Sequence, residues 1–197
     1  MKKVLLFVVV VAVGAFVAYQ LFDNKDETPA GEEPKGLTVG KQSGDFRQSL
    51  DTLMAAYFSL KDALVKSDTV SANNAAMQLA VAADSLNAEG IEGDSTGVIK
   101  ETAKNFAGTI QGSAHALSLE QGLNEKRLEF EMISDALWSL ARTVKYQGSK
   151  VYYQFCPMAF DNRGAYWISQ NSEIRNPYFG DKMLTCGSNR DSISYNN

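Results

Sequence analysis

From Phe46 to Val144 the apolar residues of this chain recur at steps of four and three, and this spacing restricts what it can fold into. Phe46, Leu50, Leu53, Tyr57, Leu60 and Leu64 mark one face of a helix. Ala72, Ala76, Leu79, Ala83 and Leu86 repeat the spacing with small side chains that permit close helix approach. Ile99, Phe106, Ile110 and Leu117 form a third stripe, and Phe130, Ile133, Leu137, Leu140 and Val144 a fourth. The pattern predicts helices over about 45–66, 70–86, 95–118 and 123–145. Ser67-Asp68 breaks and caps, the glycine-bearing stretch Asn87 to Gly97 reads as a loop with Asp94 or Ser95 placed to cap the third helix, and a turn is expected near 119–123. Short connections between amphipathic helices lead to an up-and-down four-helix bundle in a mainly α domain.

After Lys150 the period changes to two. Val151, Tyr153 and Phe155 alternate with Tyr152 and Gln154, and Gly164-Ala165-Tyr166-Trp167-Ile168 is again rich in strand formers. Asp161-Asn162-Arg163-Gly164 supplies the turn between them. So little sheet does not stand alone, so this β/loop module, 150–187, is expected to pack its aromatics on the end or flank of the bundle. The folded domain is read as 45–187, and 188–197 as a frayed polar tail.

The amino-terminal end sets location. Lys2-Lys3 precedes an uncharged run from Val4 to Phe22, close to the roughly 20 residues that span a bilayer as helix. Lysines before it and Asp23, Asp26 and Glu27 after it predict an amino terminus inside and an exported, periplasmic body. Val13-Gly14-Ala15 offers a small-residue cleavage site, but cutting there would leave an apolar Phe16-to-Phe22 end, so an inner-membrane anchor over 1–22 is preferred to a cleaved signal. No cysteine lies near the run, which removes lipid attachment of the lipoprotein kind. Pro, Gly and charged residues over 23–44 read as a flexible linker. A net charge of -4 with dispersed Lys and Arg excludes the electrostatic footprint of a nucleic-acid binder.

The chain's 2 cysteines and several of its methionines meet in Cys156-Pro157-Met158 and Met183-Leu184-Thr185-Cys186. Thiolate and thioether are the ligands that suit Cu(I), so Cys156, Met158, Met183 and Cys186 form a candidate soft-metal set. Residues two apart at a strand end share a face, and residues three apart share one in a helical turn, so the two pairs converge if the intervening loop folds back. Zinc suits this set less, because thioether is a poor zinc ligand and the chain has 1 histidine. That histidine, His115, is the one imidazole available as a further ligand or base, although an ordinary surface or core role accounts for it as well. A Cys–His nucleophile would need an orienting group and an oxyanion hole that no motif supplies, so no enzyme is expected. The competing reading is a Cys156–Cys186 disulfide, natural for an exported domain with two cysteines, closing about thirty residues and stabilising by roughly 3 kcal/mol or more.

The run Tyr153-Gln154-Phe155-Cys156-Pro157-Met158-Ala159-Phe160-Asp161-Asn162-Arg163-Gly164-Ala165-Tyr166-Trp167-Ile168-Ser169, continued by Glu173-Ile174-Arg175-Asn176-Pro177-Tyr178-Phe179-Gly180-Asp181-Lys182-Met183-Leu184-Thr185-Cys186-Gly187, closely resembles the end of a bacterial family, the domain of unknown function 3347, met mostly in Bacteroidota. Arg127-Leu128-Glu129-Phe130 with Ser134, and Tyr57-Phe58-Ser59-Leu60-Lys61-Asp62-Ala63-Leu64, are similar to its last and first helices. Lys126 stands where the family commonly has Gln. Members also occur fused to periplasmic adaptor subunits of heavy-metal efflux pumps, so the resemblance implies copper or a related metal, with an efflux pump or another envelope protein as partner. It implies no enzymatic activity.

Overall fold

The computed structural model describes residues 42–195. The expected membrane segment over 1–22 and most of the expected linker lie outside the described residues. Among the described residues no helix is long and apolar enough to cross a membrane.

Four helices come first: α1 (Gly44–Val65), α2 (Thr69–Asp84), α3 (Val98–Leu119) and α4 (Leu123–Thr143). Local devices fix where the first three begin. Ser43 accepts the Phe46 N–H at 3.1 Å to cap α1, and Asp68 accepts the Ser71 N–H at 3.0 Å to cap α2. Asp94 accepts the Lys100 N–H at 2.9 Å across the start of α3, and Gly97 takes a left-handed φ of 74° as its cap, so the helix begins at Val98 rather than at 95.

Contacts between helix ends give the directions. Gln42, ahead of α1, donates to the Val144 carbonyl after α4, while Arg127 near the start of α4 donates to Ser67 Oγ beyond the end of α1 at 3.2 Å. Asn87, past α2, donates its N–H to Ser49 near the start of α1 at 3.2 Å. Lys126 at the start of α4 donates to Leu117 O at the end of α3 at 3.0 Å, so consecutive helices run in opposite senses. The stripes read from the sequence face inward: Phe46, Leu53, Tyr57, Leu64, Leu79, Ile110, Leu117, Phe130, Ile133 and Leu137 are fully buried. Each such large side chain contributes about 1.5–3 kcal/mol of hydrophobic stabilisation.

Two further boundaries differ from expectation. Gln42 and Ser43, assigned to the linker, belong to the folded unit: Gln42 is buried and bridges Ile91, and the Ser43 N–H donates to Gly90 O at 2.8 Å. Ser188–Ile193, expected as tail, is a strand. With β1 (Val151–Cys156) and β2 (Ala165–Ser169) it makes an antiparallel sheet of order β2-β1-β3, β3 being Ser188–Ile193. Its residues are mostly polar because only Ile193, opposite Val151, reaches the core, and backbone pairing does the rest.

One face of the sheet packs on α4. Trp138 stacks on Tyr153 at 4.3 Å between centroids, and Tyr153 on Tyr166 at 4.5 Å. The Ile168 N–H of β2 donates to Tyr57 Oη of α1 at 2.9 Å. The opposite face carries Gln154, Cys156 and Trp167, all fully buried.

Candidate functional site

Cys156 is the last residue of β1, paired with Ala165, and has no exposed surface. Cys186 follows the short 3-10 turn Gly180–Lys182 and is partly exposed. The segment between them folds back across the sheet, so that the two thiols are hydrogen-bonded, their Sγ atoms 3.3 Å apart. Contact with the Cys156 thiol, and then burial, push the Cys186 thiol above its ordinary range.

Met158 and Met183 lie elsewhere. Both line a groove of about 430 Å³ with Leu128, Phe160, Tyr178 and Phe179, and neither cysteine lines it. The expectation that Cys156 and Met158 share a face is corrected here. The alternation holds only while the strand continues, and β1 ends at Cys156, so Cys156 points into the core while Met158 is 46% exposed. Met183 and Cys186 are joined by a turn in which the Cys186 N–H donates to Met183 O at 3.1 Å. The four sulfurs thus lie in two places, carried by the same two stretches of chain: the touching thiols of buried Cys156 and partly exposed Cys186, and two thioethers lining a groove.

His115 stands exposed on α3 and does not line the groove; its carbonyl accepts from Ser118 Oγ at 2.7 Å. Among the described residues no group of three or more His, Cys, Asp or Glu is placed to hold a metal. An ion held here would rest on sulfur.

The groove wall is strained. Phe160, Asp161 and Asn162 have φ of 51°, 56° and 68°, a left-handed turn made by three residues with β-carbons. The Gly164 N–H closes it on Ala159 O at 2.9 Å, and the Arg163 guanidinium lies 5.0 Å from the Phe160 ring. Strain of this kind persists where surrounding contacts over-determine it and is common at functional sites.

Three residues matter more than their sequence context signalled. Arg127, buried at the start of α4, donates to Pro177 O at 2.8 Å and so ties the segment ahead of Cys186 to the bundle. Gln154, a polar residue in the middle of β1, donates to Asn171 O at 3.0 Å and Asn189 Oδ1 at 2.9 Å. Its Oε1 and the Nε1 of Trp167, directly across the strand pair, are buried without hydrogen-bond partners among the described residues. Asn176, which reads as turn chemistry before Pro177, is fully buried, and it is this burial, invisible in the local sequence, that marks it as a structural hub.

Residues 53–148 match the model of a family described as a protein of unknown function (DUF3347). A mainly helical domain with a small carboxy-terminal strand module is the class that this fold defines, and over 53–148 its helical part is similar to the DUF3347 family. The match ends at Gly148, before β1, so the cysteines and their methionine neighbours lie beyond it. No curated protein and no solved structure matches the chain.

Proposed function

We propose that this is a membrane-tethered periplasmic domain that takes up a soft cation, Cu(I), through Cys156, Cys186, Met158 and Met183, the methionines receiving it in their groove and the thiol pair holding it, buffering it or handing it to an efflux system. The observation that carries the reading is the convergence of the two sulfur-bearing stretches: their cysteines meet at 3.3 Å and their methionines line one groove. Thiols and thioethers are both soft donors suited to such an ion. Bound there, such an ion would draw off the thiol protons, and the thiols, now in contact, would part to admit it. Met158, the more exposed thioether, is suited to first contact. The tether and the periplasmic setting rest on the Val4-to-Phe22 run and its flanking charges, and the efflux partner on the family resemblance.

A second reading is favoured by the burial of Cys156 and the raised pKa of Cys186: an envelope interaction domain closed by a Cys156–Cys186 disulfide, without metal. One experiment separates them. Free thiols are counted in protein isolated from the periplasm, and the reduced protein is then titrated with Cu(I) against a competing chelator. Stoichiometric uptake, weakened by Cys156→Ser and by Met183→Leu, is expected. A fully oxidised pair with no uptake after reduction overturns the metal reading.

A further inference from the structure

Cys186 lies two residues ahead of β3, whose Ser188 pairs with Phe155 beside Cys156, and its thiol lies 3.3 Å from the Cys156 thiol. Strand pairing thus brings this stretch of chain to Cys156 and holds it on the carboxy-terminal side of Cys186. A second hold must fix the backbone of Cys186 on its amino-terminal side. Its own turn does not, because the Cys186 N–H reaches only Met183 O. Among the described residues, the hydrogen bonds that reach the backbone of Leu184 and Cys186 from beyond that turn both come from Asn176.

Asn176 has no exposed surface, and its backbone and side-chain polar groups are engaged. Its N–H donates to Leu184 O at 2.8 Å and its Nδ2 to Cys186 O at 2.7 Å. Its Oδ1 accepts the Tyr178 N–H at 2.8 Å and its carbonyl the Gly180 N–H at 3.0 Å. Two bonds thus grip the stretch that carries Cys186, and two close the turn 176–180. That turn is itself fixed to the scaffold: Pro177 O accepts from Arg127, and Tyr178 Oη donates to Tyr166 O in β2. Gly180 sits so close to α1 that a β-carbon there would lie 2.9 Å from Val65 O, at a φ of +58°. The line of support runs from α1 and α4 through the turn to Asn176, and from its carboxamide to Cys186.

We infer that Asn176 is the positioning residue of the thiol pair: with the chain held from Ser188 onward by β1, its carboxamide fixes the Cys186 backbone and so tunes the effective concentration of that thiol at Cys156. The inference rests on the premise of the proposed function that the two thiols act as a pair, and it holds whichever partner the pair takes.

The test needs no metal. The full-length protein is equilibrated with reduced and oxidised glutathione, quenched with acid, and scored by alkylation and mass spectrometry for the Cys156–Cys186 bond. Forming it consumes one oxidised glutathione and yields two reduced ones, which take the two thiol protons. Asn176→Ala is expected to lower the equilibrium constant at least tenfold. Asn176→Asp, which keeps the acceptor for Tyr178 and removes the donor to Cys186, is expected to lower it as well. Tyr178→Phe serves as the comparison, because it loosens the same segment and leaves the Asn176 bonds in place. It should lower the melting temperature while leaving the equilibrium constant within about threefold of wild type, on the order of a fraction of 1 kcal/mol. Equal effects of Tyr178→Phe and the Asn176 variants, or none from the latter, overturn the inference. Loss of the whole fold in both Asn176 variants overturns it too, in favour of a general folding role. A wild-type protein that forms no such bond at any glutathione ratio defeats the premise of a working pair, an outcome distinct from each of these.

Discussion

The hydroxyl of Tyr57 in α1 lies 2.8 Å from that of Ser134 in α4 and accepts the backbone N–H of Ile168 in β2 at 2.9 Å. Ser134 Oγ in turn donates to Phe130 O at 2.8 Å, so the buried chain runs Ile168 N–H to Tyr57 to Ser134 to Phe130 with every hydrogen used. Burial pushes the Tyr57 phenol well above its ordinary range and keeps it a neutral donor. This joint couples two helices to the sheet at one atom. Tyr57→Phe leaves the Ile168 N–H buried and unpaired, and should cost about 1–3 kcal/mol in urea denaturation. A loss below about 0.5 kcal/mol would mean that water or backbone movement replaces the hydroxyl. Ser134→Ala in the Tyr57→Phe background should cost less than it does in the wild type, because the two hydroxyls act in one chain.

Adjacent residues at the start of α4 close two other helices. Lys126 Nζ donates to Leu117 O at 3.0 Å and to Glu120 O at the end of α3, while Arg127 serves Ser67 and the Leu64 carbonyl at the end of α1 as well as Pro177. A cation at a helix carboxy terminus meets the negative end of its dipole, which accounts for two buried charges in consecutive positions. Arg127→Met should destabilise the protein by about 3 kcal/mol through lost charge-assisted bonds. Hydrogen exchange should show faster amides at Tyr178 and Gly180 in particular. Faster exchange confined to the end of α1, with the turn 176–180 unchanged, would remove Arg127 from the support of Cys186.

The helices could be read from the sequence because burial imposes a period, and Phe46, Leu50, Leu53, Tyr57, Leu60 and Leu64 all turn out buried at that spacing. β3 could not, since Ser188-Asn189-Arg190-Asp191-Ser192 pairs through its backbone and shows no apolar alternation. In the site, the convergence of Cys156 with Cys186 comes from a loop folding back, which spacing allows. That Met158 leaves the face of Cys156 is set by where β1 stops, and a Pro at 157 signals that only weakly. Gln42, Gln154 and Asn176 are polar residues buried by tertiary contacts far along the chain, and no local pattern marks them.

Acid should act first on the starts of α2 and α3. Hydrogen bonds from Ser71 hold the Asp68 carboxyl below its usual range, the Lys100 N–H does the same for Asp94, and Lys104 and Lys100 do so for Glu89. A carboxyl with a lowered folded pKa binds fewer protons in the folded than in the unfolded state. Its contribution is therefore fully present above the unfolded value, near ~3.9 for Asp and ~4.3 for Glu, and is lost as pH falls through the lower folded values. Melting temperature should drop over this window, and the drop should be shallower in Asp68→Ala and in Asp94→Ala, whose midpoints start lower. An undiminished slope in both variants would place the acid sensitivity elsewhere.

The two thiols should differ in reactivity. Cys186 is partly exposed and Cys156 has no exposed surface, so alkylation of the native protein should label Cys186 first. With its thiol pKa raised, Cys186 should react slowly near neutral pH and accelerate as pH rises beyond the ordinary thiol range. Cys156→Ser removes the largest cause of the shift, so the rate profile of Cys186 in that variant should move to lower pH. Mass spectrometry of peptides alkylated across a pH series measures both. Labelling of Cys156 at the same rate would show that the module opens on the time scale of the reaction.

The left-handed turn beside Met158 carries strain that can be relieved without touching the core. Asp161 is exposed at a φ of 56°, a conformation that costs a residue with a β-carbon about 1 kcal/mol and glycine almost nothing. Asp161→Gly should therefore stabilise the fold by a few tenths to about 1 kcal/mol, the gain being reduced by the larger entropy of glycine in the unfolded chain. If the strain serves the groove, the same variant should weaken Cu(I) uptake while raising the melting temperature, because a relaxed turn lets Met158 drift from the groove. A gain in stability with unchanged uptake would make the turn a consequence of connecting β1 to β2 and nothing more.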